Sequence, residues 1–311
     1  MLRISEGGLN TGVYTAKTPE EILEILKNDK NDIIEIETDV PEKFMKENGF
    51  FFRPRRVTYK LLIPNDLREA FSKSRKKAIK KSLKNKDLKI TIEEPMSEET
   101  FCQWEKIYDK NISTKRIGIK RLTKERFLLF QPRSIGLFAW HNGLLAGGML
   151  LSKKRFLFNE ILTEKMSISL SSSTKELFKL GINSLLNYSA LKLAKDRGYK
   201  YVDRGSDSNL YGHYLNPGLY IFKKSFGFRV APKKKYGFAW TKIKNFSKLS
   251  DPIFFISMGK NGLEGNIFFK EILPNIEEYS SEYLSKINVF TIINNEAKQY
   301  KLIKPINLVK N

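Results

Sequence analysis

Asn142-Gly143 stands between two apolar runs, Ile135–Trp140 and Leu144–Leu151. A two-residue connection of this kind favours a type I′ turn, in which both central residues take positive φ, and that twist suits antiparallel strands. The pair therefore predicts a β-hairpin over 135–151 and excludes an all-helical chain. The next hundred residues narrow the class. Residues 155–163, RFLFNEILT, read as the next strand. Ser171, Ser172, Ser173 and Thr174 form a run of N-cap side chains, and Phe178, Ile182, Leu185, Leu186 and Leu193 recur at helical spacing. A long helix is expected from about 175 to 197, with Gly198 just past its end. Tyr199–Asp203 reads as a short strand, and Asn216-Pro217 as the cap and first residue of a helix to Ser225.

Upstream, Pro19 opens a short acidic helix over 19–28, and 33–38 alternates like a strand. Phe50–Phe52 and Val57–Ile63 read as strands around a basic loop, Arg53–Arg56. A helix over 66–84, a strand over 88–92 and a helix from Ser97 come next. Helix, hairpin, strand, helix, strand, helix, strands is the order of an α+β, mixed α/β layered domain. The expected division is 1–64 as an N-terminal α/β segment, 65–245 as the main domain and 246–311 as an extension of no assigned role.

Charge adds a second constraint. The chain of 311 residues carries a formal net charge of +22, unevenly spread. Residues 53–90 hold fourteen basic against three acidic side chains, whereas 1–52 hold six against eleven. Such a field gathers anions, so phosphorylated substrates are the expected partners, with the segment 53–90 contacting their phosphates. The plainer explanation is a general drift towards lysine, which accounts for the total but not for the clustering. A single cysteine, Cys102, excludes a disulfide framework, and two histidines argue against a multi-histidine metal site. No apolar run reaches the ~18–20 residues that span a bilayer, and the N-terminus lacks the apolar core of a signal peptide. A cytoplasmic protein without membrane insertion is expected.

Three stretches carry a resemblance to a known family. Residues 73–92, KSRKKAIKKSLKNKDLKITI, are similar to the basic helix and strand that precede the FemAB-type acyltransferase domain. Residues 143–151, GLLAGGMLL, resemble its hairpin strand. Residues 198–228, GYKYVDRGSDS to NPGLYIFKKSFGF, resemble its closing motif, the most specific of the three. The likeness covers about 65–235 and implies a GNAT-like acyltransferase fold of the FemAB-like branch, with a central, mostly antiparallel sheet flanked by helices. It also implies an acyl (acetyl or aminoacyl) transfer to an amine or hydroxyl acceptor, such as an envelope precursor or sugar nucleotide. Mainstream GNAT enzymes cradle a coenzyme A pyrophosphate with an R/Q-x-x-G-x-G/A loop. This chain has LSSSTKELFKLG there, as FemAB-like proteins lack the loop, so acyl-CoA and aminoacyl-tRNA both stay open as co-substrates, with no tightly bound cofactor.

On this resemblance Asp203 is a base or an orienter of the incoming amine, against a plain turn-capping role. Lys223 would neutralise phosphate or stabilise the developing oxyanion, against a solvated helix lysine. Tyr220 is a candidate general acid, although its spacing from Gly227-Phe228 is one turn off, and packing is its other reading. His213, in a tyrosine-rich loop, can take a proton near neutral pH. Glu160, with Asn159, would face the acceptor. Ser171, Ser172, Ser173, Thr174 and Lys175 are the expected anion-binding helix start for the donor. Gly147-Gly148 allows either close approach of a donor or tight sheet packing. The rival to an enzyme is a basic nucleic-acid- or membrane-surface-binding module using the helix 66–84; against nucleic acid, 72–90 contains no aromatic residue.

Overall fold

The computed structural model describes residues 2–6, 9–114, 123–158, 161–212, 215–249 and 251–303. The chain begins with β1 (Leu2–Glu6), β2 (Leu9–Thr15), α1 (Pro19–Asn28), β3 (Ile33–Glu37), α2 (Glu42–Glu47), β4 (Phe51–Pro54) and β5 (Arg56–Leu62). It continues through α3 (Lys73–Leu83), β6 (Leu88–Glu93), α4 (Glu98–Ser113), α5 (Lys124–Phe130), β7 (Ser134–His141), β8 (Leu144–Phe158), β9 (Ile161–Ser173), α6 (Ile182–Asp196) and β10 (Tyr201–Ser208). The rest is α7 (Pro217–Ser225), β11 (Arg229–Pro232), β12 (Phe238–Ile243), β13 (Ile253–Gly259), β14 (Gly262–Phe269), α8 (Ile276–Tyr279), β15 (Lys286–Ile293) and β16 (Glu296–Ile303). The class is α+β with mixed sheets, as expected. No helix among the described residues is long and apolar enough to cross a membrane.

Compact packing divides the chain into two units, neither continuous in sequence. One comprises 1–58, 206–222 and 230–311; the other comprises 59–205 and 223–229. The division cuts across the linear one at 64 and 245, because 206–222 and 230–245 pack with the first unit although they follow the second in sequence.

The first unit holds a sheet in the order β1-β2-β3-β12-β4 and another in the order β13-β14-β15-β16. Thr18 starts α1 by accepting from the Glu21 amide, and α1 buries Ile22 against Ile34, Ile36, Met45 and Trp240. In the expected basic loop 53–56, Arg53, Pro54 and Arg56 are instead in strands, with Arg55 at the bend between β4 and β5, and Arg53 is buried. Its guanidinium donates to Glu35, to Thr241 Oγ1 (2.9 Å) and to the Asn209 carbonyl (3.0 Å). Arg55 donates to the second oxygen of Glu35 (3.0 Å) and to Glu37 (2.6 Å). Arg53 and Arg55 share the buried Glu35 carboxylate, and Arg55 also pairs with the exposed Glu37, so both guanidiniums are engaged within the protein.

The second unit is built on strands in the order β5-β10-β9-β8-β7-β6, antiparallel from β9 to β6, with β10 parallel to β9. The Asn142-Gly143 turn forms with φ of 50° and 78°, as its residues dictate. Beyond it the expected single strand 155–163 is divided between β8 and β9, which pair from Phe158↔Ile161 downwards. α4 covers one face with Phe101, Trp104 and Tyr108 against Phe138 and Leu150. α6 covers the other: Asn111 of α4 reaches Ser172, whereas Arg204, bonded to Asn187 of α6, reaches the neighbouring Ser171, and adjacent strand residues point to opposite faces.

Two expected helices are interrupted. The stretch 175–197 opens as a 3-10 turn, Lys175–Leu180, and α6 begins only after Gly181 in the left-handed region (φ 73°). A Cβ at Gly181 would sit 2.7 Å from Ser82 Oγ, and Ser82 donates to the Leu180 carbonyl (2.6 Å), so packing by α3 holds the break. Phe178, counted on the buried face, is consequently 53% exposed. The stretch 66–84 likewise breaks at Phe71, which turns inward onto Phe226 and Tyr188 before α3 starts.

Candidate functional site

The feature that organises the second unit is where one strand ladder ends. Among the described residues, β10 pairs with β9 only through Tyr201↔Lys165, Val202↔Met166 and Asp203↔Ser167. β9 runs on to Ser173, held on its other edge by β8. At the same place β9 has an extra residue, Ser169, between the pairs Ile168↔Leu151 and Leu170↔Leu150. A bulge kinks a strand and increases its twist, which re-aims the backbone beyond it. The edge of β9 past Ser167 thus faces β10 without ladder pairing between them. Backbone N–H and C=O groups on such an edge can pair with an extended ligand that carries amides.

Asp203 sits at the mouth of this opening, buried, at 5% exposure. Ser167 Oγ donates to Asp203 Oδ1 (2.5 Å) and accepts from Lys154 Nζ (2.9 Å). Lys165 Nζ pairs with Asp203 Oδ2 (2.5 Å). Lys165 and Ser167 stand two residues apart on one face of β9, with Ser167 opposite Asp203 and Lys165 opposite Tyr201 in the register. The carboxylate is therefore compensated by two lysines, one directly and one through a hydroxyl. These contacts fix both carboxylate oxygens beside the opening, where Asp203 can orient a donor N–H. On the other face, Arg204 donates to Asn187 and to Ser171 Oγ (3.0 Å), holding its guanidinium between β9 and α6.

The expected donor-binding run does not start a helix. Ser171, Ser172 and Ser173 belong to β9, where they pair with Met149, Gly148 and Gly147, so they do not cap an α-helix. Ser172 accepts from Asn111 (2.7 Å), and Ser173 Oγ is buried with no partner among the described residues. Thr174 gives its amide to Ala146 O (2.9 Å) and makes no side-chain cap. Lys175 donates to Thr114 (2.8 Å). A Cβ at Gly147 would lie 2.7 Å from the Ser173 Cβ, and one at Gly148 would lie 2.6 Å from the Trp104 ring. Of the two roles weighed for this glycine pair, tight packing is the one its neighbours provide.

Lys223 is 5% exposed, with Nζ 4.2 Å from the Tyr59 ring centre, so it is no solvated helix lysine. Its ammonium meets an aromatic face, and the lysine that pairs with Asp203 is Lys165. Tyr220 belongs to the first unit. It is buried against Tyr211, Phe254 and Tyr279, donates to the Tyr279 carbonyl (3.2 Å), and burial pushes its phenol well above the ordinary range. A group so held is a packing residue rather than the expected acid. Glu160, Asn159 and His213 lie outside the described residues. Lys165, Ser167, Lys154 and Arg204 escape a reading of the sequence alone. The only local signal is the i, i+2 spacing of Lys165 and Ser167 before a serine run.

No family model matches the chain, and no curated protein does. Solved structures do. The chain is similar to FemX. That likeness has a TM-score of 0.46 at 16% identity and covers 72% of this chain and 75% of FemX. L-PGS from Bacillus licheniformis gives a TM-score of 0.39 at 14% identity, covering 77% of this chain and 78% of its own. An aminoglycoside acetyltransferase from an uncultured soil metagenomic sample gives 0.35 at 16%, covering 45% of this chain and 88% of its own. At such scores the chemistry of this chain rests on its own residues.

Proposed function

We propose that this protein is an acyltransferase of the GNAT type, FemAB-like. It would move an acetyl or aminoacyl group from acyl-CoA or aminoacyl-tRNA to an amine or hydroxyl of an anionic acceptor. The observation that carries this reading is the end of the β9–β10 ladder at Asp203↔Ser167, beside the bulge at Ser169. The donor's extended arm lies along the open edge of β9 and pairs with its backbone. A β9 amide polarises the carbonyl of the thioester or ester, where negative charge develops as the acceptor attacks. The acceptor nitrogen or oxygen bonds to that carbonyl carbon, and the bond to sulfur or to the ribose oxygen breaks. The acceptor's proton ends on the leaving thiolate or alkoxide. Asp203, held by Ser167 and Lys165, accepts from the incoming amine and aligns it. Most of the acceleration then comes from positioning and from the polarised carbonyl.

The test is incubation with acetyl-CoA and, separately, with charged tRNA, following thermal unfolding. A donor that binds the folded state alone raises the midpoint. Asp203→Asn should leave that rise in place and lower turnover, since the residue is assigned to the acceptor. Loss of donor stabilisation in Asp203→Asn would put the residue on the wrong substrate.

A further inference from the structure

β6 is the last strand of the second unit's sheet, bonded to β7 alone among the described residues. All of its residues, LKITIE, are partly or fully exposed. One bond fixes the phase of its backbone. The Asn142 amide donates to the Asp87 carbonyl (3.2 Å), so the next pair, Leu88↔His141, is one of the pairs that exchange no bonds. By the alternation of an antiparallel ladder, Lys89, Thr91 and Glu93 then bond inward to Trp140, Phe138 and Gly136. The amides and carbonyls of Ile90 and Ile92 therefore point outward along the edge, whereas the Leu88 amide is used by the Asn85 carbonyl (3.2 Å). Side chains alternate too, with Lys89, Thr91 and Glu93 on one face and Ile90 and Ile92 on the other. Thr91 Oγ1 accepts from the Trp140 indole (2.9 Å). Glu93 accepts from the Ser97 amide (3.0 Å) and Thr100 Oγ1 (2.7 Å), which puts its face on the side of α4. On the opposite face Ile92 is 48% exposed.

We infer that this edge pairs antiparallel with β6 of a second copy, about a two-fold axis through Thr91. Such a contact is isologous, so the strand must be its own complement. In this register Ile90 of one copy and Ile92 of the other exchange N–H···O bonds, and symmetry repeats the exchange. The same two isoleucines lie side by side on their face. Lys89 stands opposite Glu93, and Thr91 opposite Thr91, in the pairs without bonds, where side chains come closest. Opposite charges in such pairs stabilise and like charges destabilise. Two neighbouring registers keep the same backbone phase. Centring on Ile90 sets Asp87 against Glu93, and centring on Ile92 sets Lys89 against Pro95. Neither pairs opposite charges. Pro95 offers no amide hydrogen and ends the pairing. Charges on an exposed edge ordinarily deter pairing. Here Lys89 and Glu93 are symmetric about Thr91, so they oppose mismatched strands and suit a second copy. This contact goes beyond the proposed reaction, and its test needs no acyl donor.

The experiment is sedimentation equilibrium of the whole chain over a range of concentrations. The wild type should pass from monomer to dimer as concentration rises, and added salt should weaken the dimer. Lys89→Glu sets like charges at both ends of the contact and should weaken dimerisation at least about tenfold. Glu93→Lys should do the same. An equimolar mixture of the two variants should dimerise again, because each supplies the charges that the other lacks. Ile92→Pro deletes an outward amide that the β6–β7 ladder does not use, so it should abolish the dimer with little change in melting. In a chain carrying Cys102→Ser, Thr91→Cys should cross-link to its own copy on oxidation, and Ile90→Cys should not. A wild type that stays monomeric, a mixture that fails to regain the dimer, or a dimer untouched by Ile92→Pro would overturn the proposal. So would cross-linking through Ile90→Cys in preference to Thr91→Cys, which needs no charge variant.

Discussion

Two stretches of one basic segment use their charge in opposite ways. At 53–55 the arginines point into the first unit, where Glu35 and Glu37 consume them. At 73–84 the lysines of α3 mostly face water, and only Ile79 and Ser82 of the helix are buried. A charge count over 53–90 therefore measures two different things. Arginine presents a planar fork that satisfies both oxygens of a buried carboxylate, whereas lysine is a hydrated point charge on a flexible stem. Clustered positive charge thus locates a binding surface only after its internal ion pairs have been taken out.

The contrast breaks most directly at Arg53. Arg53→Ala would leave Glu35 buried against Arg55 alone and should cost about 3–5 kcal/mol in urea unfolding. Arg53→Lys should recover little of that, because it lacks the fork to reach Glu35, Thr241 and the Asn209 carbonyl together. A loss below about 1 kcal/mol would place Arg53 with the dispensable charges.

Asp32 is the next case. Burial pushes its carboxyl up, but the Asn10 amide, Lys248 and Asn245 outweigh that and hold it below the usual carboxylate range. A folded value below the unfolded one contributes stability that is complete above the unfolded value, near ~4. That contribution is lost as pH falls from there through the folded value. Asp32→Asn should lower stability at neutral pH by about 1.5–3 kcal/mol and flatten the decline between neutral and strongly acid pH. An unchanged acid limb in the variant would assign that limb to other carboxylates.

Lys165 sharpens the comparison, since it is a lysine used as Arg53 is. A double-mutant cycle of Lys165→Met and Asp203→Asn should show coupling of about 1 kcal/mol or more. Coupling near zero would make the pair incidental. The smallest effect on stability belongs to α3. Lys76, Lys77, Lys80 and Lys81 changed to Gln keep helix propensity and should each move stability by no more than about 0.5 kcal/mol. A large loss of stability would mean that this face has structural partners.

Features that depend on local chemistry are legible in the chain itself. Asn142-Gly143, Thr18 before Pro19, and Asn216 before Pro217 each satisfy a backbone requirement within a few residues. The interruption at Gly181 is not legible, because Ser82 and Ala78 of α3 crowd that spot from far away in sequence. Nor is the site. Asp203 is visible as a strand-end aspartate, but Lys165 and Ser167 reach it only through the parallel register of β9 and β10. The serine run reads as helix caps since it precedes a helical pattern; pairing with Gly147 and Gly148 makes it strand. Arg53 looks like loop charge because Glu35, its partner, lies on a strand that neighbours β4 only through β12.

The proposed reaction depends first on the open edge of β9. Thermal unfolding with acetyl-CoA and with charged tRNA, on the wild type and on Ser169→Pro, tests it most directly. One donor at about a hundred times its dissociation constant should stabilise the wild type by about 2.7 kcal/mol. That gain should disappear in Ser169→Pro, which removes a backbone donor at the bulge, while the unliganded variant still melts cooperatively. A wild type indifferent to both donors, or a Ser169→Pro variant stabilised as fully as the wild type, would contradict this role for the edge.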